Sequence, residues 1–220
     1  MTDLENRRPL KVREAGWAKD FAARLARAHT TPDLISALSM VFAFLGAALM
    51  ALAGVASPIP RALLVIVAAA AIQGRLICNL LDGMVAVEHG KGSSAGPIWN
   101  ELPDRFSDAL LLAGAGLLLA GLGWRIGSSL GWIAAVLAVI SAYVRELGRG
   151  LGLPADFSGP MAKQQRMAAL TGGCVLTALE PIWNGAGQMM LIVMALIVVG
   201  TGWTIGRRVR HLAAGLKAKG

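Results

Sequence analysis

Asn79 and Asp82 stand three residues apart, and Asn100 and Asp104 four apart, inside otherwise apolar sequence. On helices each spacing brings both side chains to one face, so two faces carrying carboxylate and amide oxygens can share an ion. Such oxygen donors suit Mg²⁺ or Mn²⁺. Cys78 and Cys174 form no CxxC pair, and His29, His89 and His211 are scattered, so the sequence encodes no zinc cluster. Carboxylates at membrane depth are costly unless paired, metal-bound or facing water, which marks Asp82 and Asp104 as functional. The plainer alternative is a pair of interfacial helix ends. Gly83, Ala86 and Gly96 leave space beside the carboxylates, for a ligand or merely for close helix packing. Lys163 and Arg166 put two cations on one helix face, suited to phosphate or to anchoring at the interface. Arg145 and Arg149 form a second basic face beside Tyr143, the only tyrosine. Asp108 extends the acidic face, Glu101 can supply charge beside Asn100, and Arg105 follows Asp104 directly but points elsewhere on a helix. Pro103 is compatible with the first turn of a helix.

Positioning these residues falls to helices of membrane length. The chain has 220 residues, 55% hydrophobic and 15% charged, with a mean hydropathy of +0.60, a balance of several bilayer-length apolar runs rather than of a soluble domain. Spans are predicted over 33–55, 61–87, 98–122, 129–148, 164–181 and 187–206. The expected fold is an all-α integral membrane protein of six transmembrane helices, preceded by an amphipathic interfacial helix from about Leu10 to Ala28. That divides the chain into a basic segment, 1–31, a six-helix membrane domain, 32–206, and a basic tail, 207–220. The first thirty residues are polar and charged, so no secretory signal is expected.

The formal charge of +8 lies mostly before the first span, after the last, and between Arg145 and Arg166. An even number of spans puts these segments on one side, and the excess of Lys and Arg there makes that side, with both termini, cytoplasmic at the inner membrane. Charge flanking spans points to anionic lipid headgroups, at about 1 kcal/mol per basic residue, and not to nucleic acid. Trp17, Trp99, Trp124, Trp132, Trp183 and Trp203 fall mostly near span ends, where an amphipathic ring is at home.

The stretch from Asn79 to Asp104 resembles the signature of the CDP-alcohol phosphatidyltransferase family, D-x2-D-G-x2-A-R-x8-G-x3-D-x3-D. Asp82, Gly83, Ala86, Gly96 and Asp104 match it without a gap, while Asn79, Val87 and Asn100 depart from it. Thr31-Pro32-Asp33 and Ser141-Ala142-Tyr143-Val144-Arg145 resemble further family segments, so the likeness covers most of the chain. The resemblance implies a metal-dependent enzyme, a homodimer, that transfers a phosphatidyl group from CDP-diacylglycerol or a related CDP-linked donor to an alcohol and releases CMP. It implies metal ligands at Asn79, Asp82, Asn100 and Asp104, with Asp104 also the general base. Gly83, Ala86 and Gly96 would line the nucleotide site, and Lys163, Arg166 and Arg145 would meet phosphates. Family members hold two ions with four aspartates; two amides in this chain predict weaker metal binding. A catalytically silent member that binds lipid or a partner protein is the alternative, and a small transporter would explain buried polar groups but not the spacing.

Overall fold

A computed structural model describes residues 14–28, 30–88 and 96–219. All regular structure among them is helical: α1 (Gly16–Arg27), α2 (Pro32–Ala53), α3 (Pro58–Glu88), α4 (Gly96–Gly121), α5 (Gly127–Gly150), α6 (Lys163–Leu179) and α7 (Gln188–Lys217), with one 3-10 turn, Glu180–Trp183, before α7. Local sequence sets the ends. The Thr31 hydroxyl accepts from the Leu34 amide at 3.3 Å, and Pro32 occupies the first turn of α2, where a missing N–H costs nothing. At the far end of the chain the buried Glu180 carboxylate accepts from the Gly187 and Met189 amides, satisfying donors at the start of α7.

Six helices close a ring in the order α3, α2, α4, α5, α7, α6, and α6 returns to α3. Consecutive α3 and α4 are therefore not close neighbours along their lengths; α2 stands between them in the ring. Met50, Ile72, Leu111, Leu112, Leu118, Met167, Leu170 and Met194 fill the centre. Small residues set the tightest approaches. A Cβ on Gly114 would lie 2.6 Å from the Ala47 Cα, and one on Gly116 2.7 Å from the Gly131 Cα, so α4 packs almost backbone to backbone on α2 and α5. Large apolar side chains such as Phe44, Ile59, Val199 and Trp203 face outward.

Four helices, α2, α3, α5 and α7, are long and apolar enough to cross a membrane. α4 and α6 stand at two of the predicted spans but carry the polar residues of the site, and α6 has 17 residues. α7 continues past residue 206 to Lys217, so most of the basic tail lies on the same helix. α1 packs on α3 through Ala18 and Ala22 and turns Trp17 and Phe21 outward; the earlier part of the expected interfacial helix, up to residue 13, lies outside the described residues. Pro103 is not in a first turn. α4 begins at Gly96, which puts Pro103 inside the helix, where it leaves the Trp99 carbonyl without its usual amide. Trp124 also departs from the pattern of the other tryptophans: its indole N–H donates to the Ala186 carbonyl at 2.7 Å, tying two links together.

Candidate active site

The polar residues converge at the end of the ring where α3 finishes and α6 begins. Asp82 is buried on α3; its Oδ2 accepts from the Ser36 hydroxyl of α2 at 2.7 Å and its Oδ1 from the Gly83 amide at 2.5 Å. Asp104 comes to the same region from α4. Its Oδ1 accepts from the Asn79 amide and from Arg75 Nη2, the latter at 3.0 Å, and its Oδ2 meets the Lys163 ammonium. Arg75 has no exposed side-chain surface and also lies 2.7 Å from Asp108 Oδ1. Arg166, 2% exposed, donates to Asp108 Oδ2 at 2.9 Å and to the Met161 carbonyl at 3.1 Å.

Two rows of charges thus mesh: Asp104 and Asp108, four apart on α4, meet Lys163 and Arg166, three apart on α6. The helical repeat places both pairs on facing sides, and long basic side chains span a gap between helices whose backbones are not close neighbours. Arg105 was expected to point away from Asp104. It reaches to 3.6 Å from Asp104 Oδ2 and 3.3 Å from Glu101 Oε2, because a guanidinium on a flexible stem can fold back along its own helix.

A second basic cluster adjoins the first. Arg145 forks onto both Glu101 oxygens at 2.6 Å, donates through Nε to Glu146 at 2.8 Å, and lies 5.4 Å from the Phe157 ring centroid. Glu101 therefore serves Arg145 and Arg105. Behind it is a cavity of about 310 Å³ lined by Arg145, Asp156, Arg208 and His211 among others. Arg208 is fixed there by the Ser158 and Ser141 carbonyls, at 3.0 and 2.8 Å. Asp156 accepts from His211 at 3.0 Å. Partial burial raises the Asp156 carboxyl, but hydrogen bonds from Ser158 and His211 outweigh it and hold the group below its ordinary value.

The expected site residues therefore divide. Asn79, Asp104 and Lys163 are in direct contact, and Asp82 stands on the same face of α3 as Asn79. Gly83 and Ala86 follow on α3, and Gly96 opens α4. The Asn100 side chain lies outside the described residues. Lys163 and Arg166 are committed to Asp104 and Asp108, and Arg145 stands with Glu101 in the adjoining cluster. Arg75 and Ser36 are the partners that residue spacing did not single out. Arg75 could have been noticed as an arginine one turn before Asn79 within an apolar run.

Among the described residues no three His, Cys, Asp or Glu side chains group as a metal centre. The carboxylates of Asp82 and Asp104 offer hard oxygens, and Asp82 has no ion-pair partner among the described residues. Oxygen donors of this kind suit a hard divalent ion.

No family model matches the chain. It is 32% identical over 151 residues to the phosphatidylinositol phosphate synthase of Cutibacterium acnes, a match covering 64% of this chain and 66% of that protein. It is 30% identical over 154 residues to a bifunctional IPC transferase and DIPP synthase of Rubrobacter xylanophilus, covering 67% of this chain and 32% of that protein. The matches thus span about two thirds of the first relative and about a third of the second. The fold is that of the Mycobacterium tuberculosis phosphatidylinositol phosphate synthase. In complex with manganese and citrate that protein superposes with a TM-score of 0.73 at 20% identity, covering 89% of this chain and 88% of that one. With CDP-DAG bound the TM-score is 0.72, again at 20% identity, covering 90% and 94%. On these relatives the chain belongs to the CDP-alcohol phosphatidyltransferase family.

Proposed function

We propose that this protein is a membrane transferase that moves a phosphatidyl group from CDP-diacylglycerol, or a closely related CDP-linked lipid, to an alcohol, and releases CMP. The observation that carries the reading is the meeting of Asp104 with Asn79 and Lys163 beside Asp82, so that the signature positions of α3 and α4 share one charged cluster. In the reaction the acceptor hydroxyl oxygen bonds to the lipid-side phosphorus as the bond from that phosphorus to the CMP oxygen breaks. Asp104 takes the hydroxyl proton. Arg75 and Lys163 hold its two oxygens from opposite partners and so fix the carboxylate for that task. Asp82 would hold Mg²⁺ or Mn²⁺, with Asn79, Asn100 and Asp104 as further oxygen donors. When bound, such an ion offsets the diphosphate charge and stabilises the leaving CMP. Gly83, Ala86 and Gly96 give the nucleotide room. The cavity beside Arg145 is the proposed seat of the acceptor, and its lining of Arg145, Arg208 and His211 suits an alcohol that itself carries an anionic group.

All six long helices cross the membrane in this reading, α4 and α6 with their polar residues turned inward. Arg145, Arg149, Lys163, Arg166 and the basic turns of α7 then lie at the end that holds Asp82 and Asp104. By the bias of Lys and Arg this end faces the cytoplasm. A homodimer is proposed by family analogy. The amides at Asn79 and Asn100 favour a second reading, a silent member that holds a CDP-lipid without turnover.

The test is release of CMP by purified protein given CDP-diacylglycerol, Mg²⁺ or Mn²⁺, and a panel of free and phosphorylated alcohols. CMP above a chelated control is expected with at least one acceptor. Silence across the panel, with CDP-diacylglycerol still bound, would favour the second reading.

A further inference from the structure

We infer that Asp156 is a positioning residue for the acceptor: through His211 it ties the link between α5 and α6 to the far turns of α7, and that link is one wall of the cavity beside Arg145. The inference rests on the anionic-acceptor reading above and deepens it. The link and α7 run side by side in opposite directions. The Met161 amide donates to Thr204 Oγ1 at 3.0 Å, Arg208 Nε donates to the Ser158 carbonyl at 3.0 Å, Asp156 Oδ2 accepts from His211 Nδ1 at 3.0 Å, and the Lys219 ammonium donates to the Gly152 carbonyl at 2.5 Å. Leu153 adds an apolar contact, since a Cβ on Gly215 would lie 3.2 Å from it. Thr204, Arg208, His211 and Gly215 recur every three or four positions, so a single face of α7 holds the link. Gly159 shows how close the two run. Its φ is +122°, and a Cβ there would lie 2.4 Å from Thr204 Cγ2, so both backbone and space demand glycine.

Charge makes Asp156 the residue to explain. Among the described residues that line the cavity it is the one carboxylate, and it stands with Arg145, Arg208 and His211. A carboxylate there repels an anionic acceptor, so its charge alone works against binding. Its oxygens are engaged by the protein instead. Oδ1 accepts from the Ser158 amide at 2.8 Å, which bends the link into a turn, and Oδ2 fastens that turn to α7 through His211. The next residue, Phe157, puts its ring centroid 5.4 Å from the Arg145 guanidinium, so placing the turn also places Arg145. The last turns of α7, which read in the sequence as a basic tail, thereby acquire a task at the site.

The experiment uses purified full-length protein in lipid nanodiscs, with CDP-diacylglycerol, Mn²⁺ and either glycerol 3-phosphate or inositol 1-phosphate as the acceptor probe. CMP release gives KM and kcat, and hydrogen–deuterium exchange reads residues 151–162. Asp156→Ala and His211→Ala should each raise the acceptor KM by roughly 3- to 10-fold, more than they lower kcat or raise the donor KM, and should speed exchange of the link. The double variant should be no worse than the worse single one, because both remove the same tie. Asp156→Asn, which can keep the turn at Ser158 without the charged bond to His211, should raise the KM by less. A lower acceptor KM in Asp156→Ala or Asp156→Asn means that only its charge matters and overturns the inference. Additive effects with unchanged exchange overturn it too, in favour of direct contact between Asp156 and the acceptor. CMP release by these variants leaves the transferase reading standing in both cases. If the wild type releases CMP with neither probe, the anionic-acceptor reading falls and this inference with it.

Discussion

Asp104 and Arg166 are both buried members of one ion cluster, yet they should fail differently. Asp104→Asn keeps size and burial but removes the proton acceptor, and turnover should fall by roughly 10²- to 10⁴-fold. Arg166→Ala instead strands Asp108, whose other partner, Arg75, already serves Asp104. Breaking a buried pair from one side costs about 3–5 kcal/mol, so this variant should show mainly a lower unfolding temperature. Measuring turnover and thermal unfolding for both separates the roles. If Arg166→Ala unfolds like the wild type and only weakens donor binding, its guanidinium is a phosphate ligand after all. Residue spacing alone could not tell these roles apart, because a cation at the mouth of a span reads the same whether it awaits a phosphate or already holds a carboxylate.

At the scale of elements, the register of α4 against its neighbours decides whether the cluster assembles. Glycines let α4 descend onto α2 and α5, and that depth fixes how far Asp104 and Asp108 stand from Lys163 and Arg166. Gly114→Val would drive a Cβ to within 2.6 Å of the Ala47 backbone, and overpacking of this kind costs about 1–3 kcal/mol. Gly172→Ala, on α6 with nothing within 4 Å, is the control; a helical Gly→Ala change there should stabilise by about 0.5–1 kcal/mol. Thermal unfolding of the two variants reads the difference. Equal, small shifts would mean that α4 can slide without cost. The helices themselves were legible as long apolar runs; five stand close to their predicted ranges, and α7 runs on from 206 to Lys217. Pro103 misled because Gly96-Pro97 starts α4 earlier than the apolar run suggests, and a start signal upstream of the hydrophobic stretch leaves no trace in hydropathy.

For the whole molecule, the proposed six crossings place the α4–α5 link and the end of α7 on opposite sides. An impermeant maleimide applied to intact cells should label Arg125→Cys and leave Lys217→Cys unlabelled until the membrane is permeabilised. Both positions are exposed, and the native Cys78 and Cys174 are buried and give little background. Labelling of both from outside would rule out this topology. The outcome also bears on the site, since Lys163, Arg166 and Arg145 share the end that carries Lys217.

The sequence by itself determined the helical class, the run of long apolar elements and the positions of the acidic and amide residues, because hydropathy and residue spacing act locally along the chain. It also carried the family, through a signature whose spacing is read in one dimension. Only the tertiary structure decided which opposite charges pair. The ring brings α6 opposite α4, so Lys163 falls on Asp104 and Arg166 on Asp108, across gaps of 59 and 58 residues. Arg75 became central for the same reason: its charge has meaning only once the fold brings α3 to Asp104 and Asp108 of α4. Pair energies depend on distance in space and on burial, and neither is written in the order of residues.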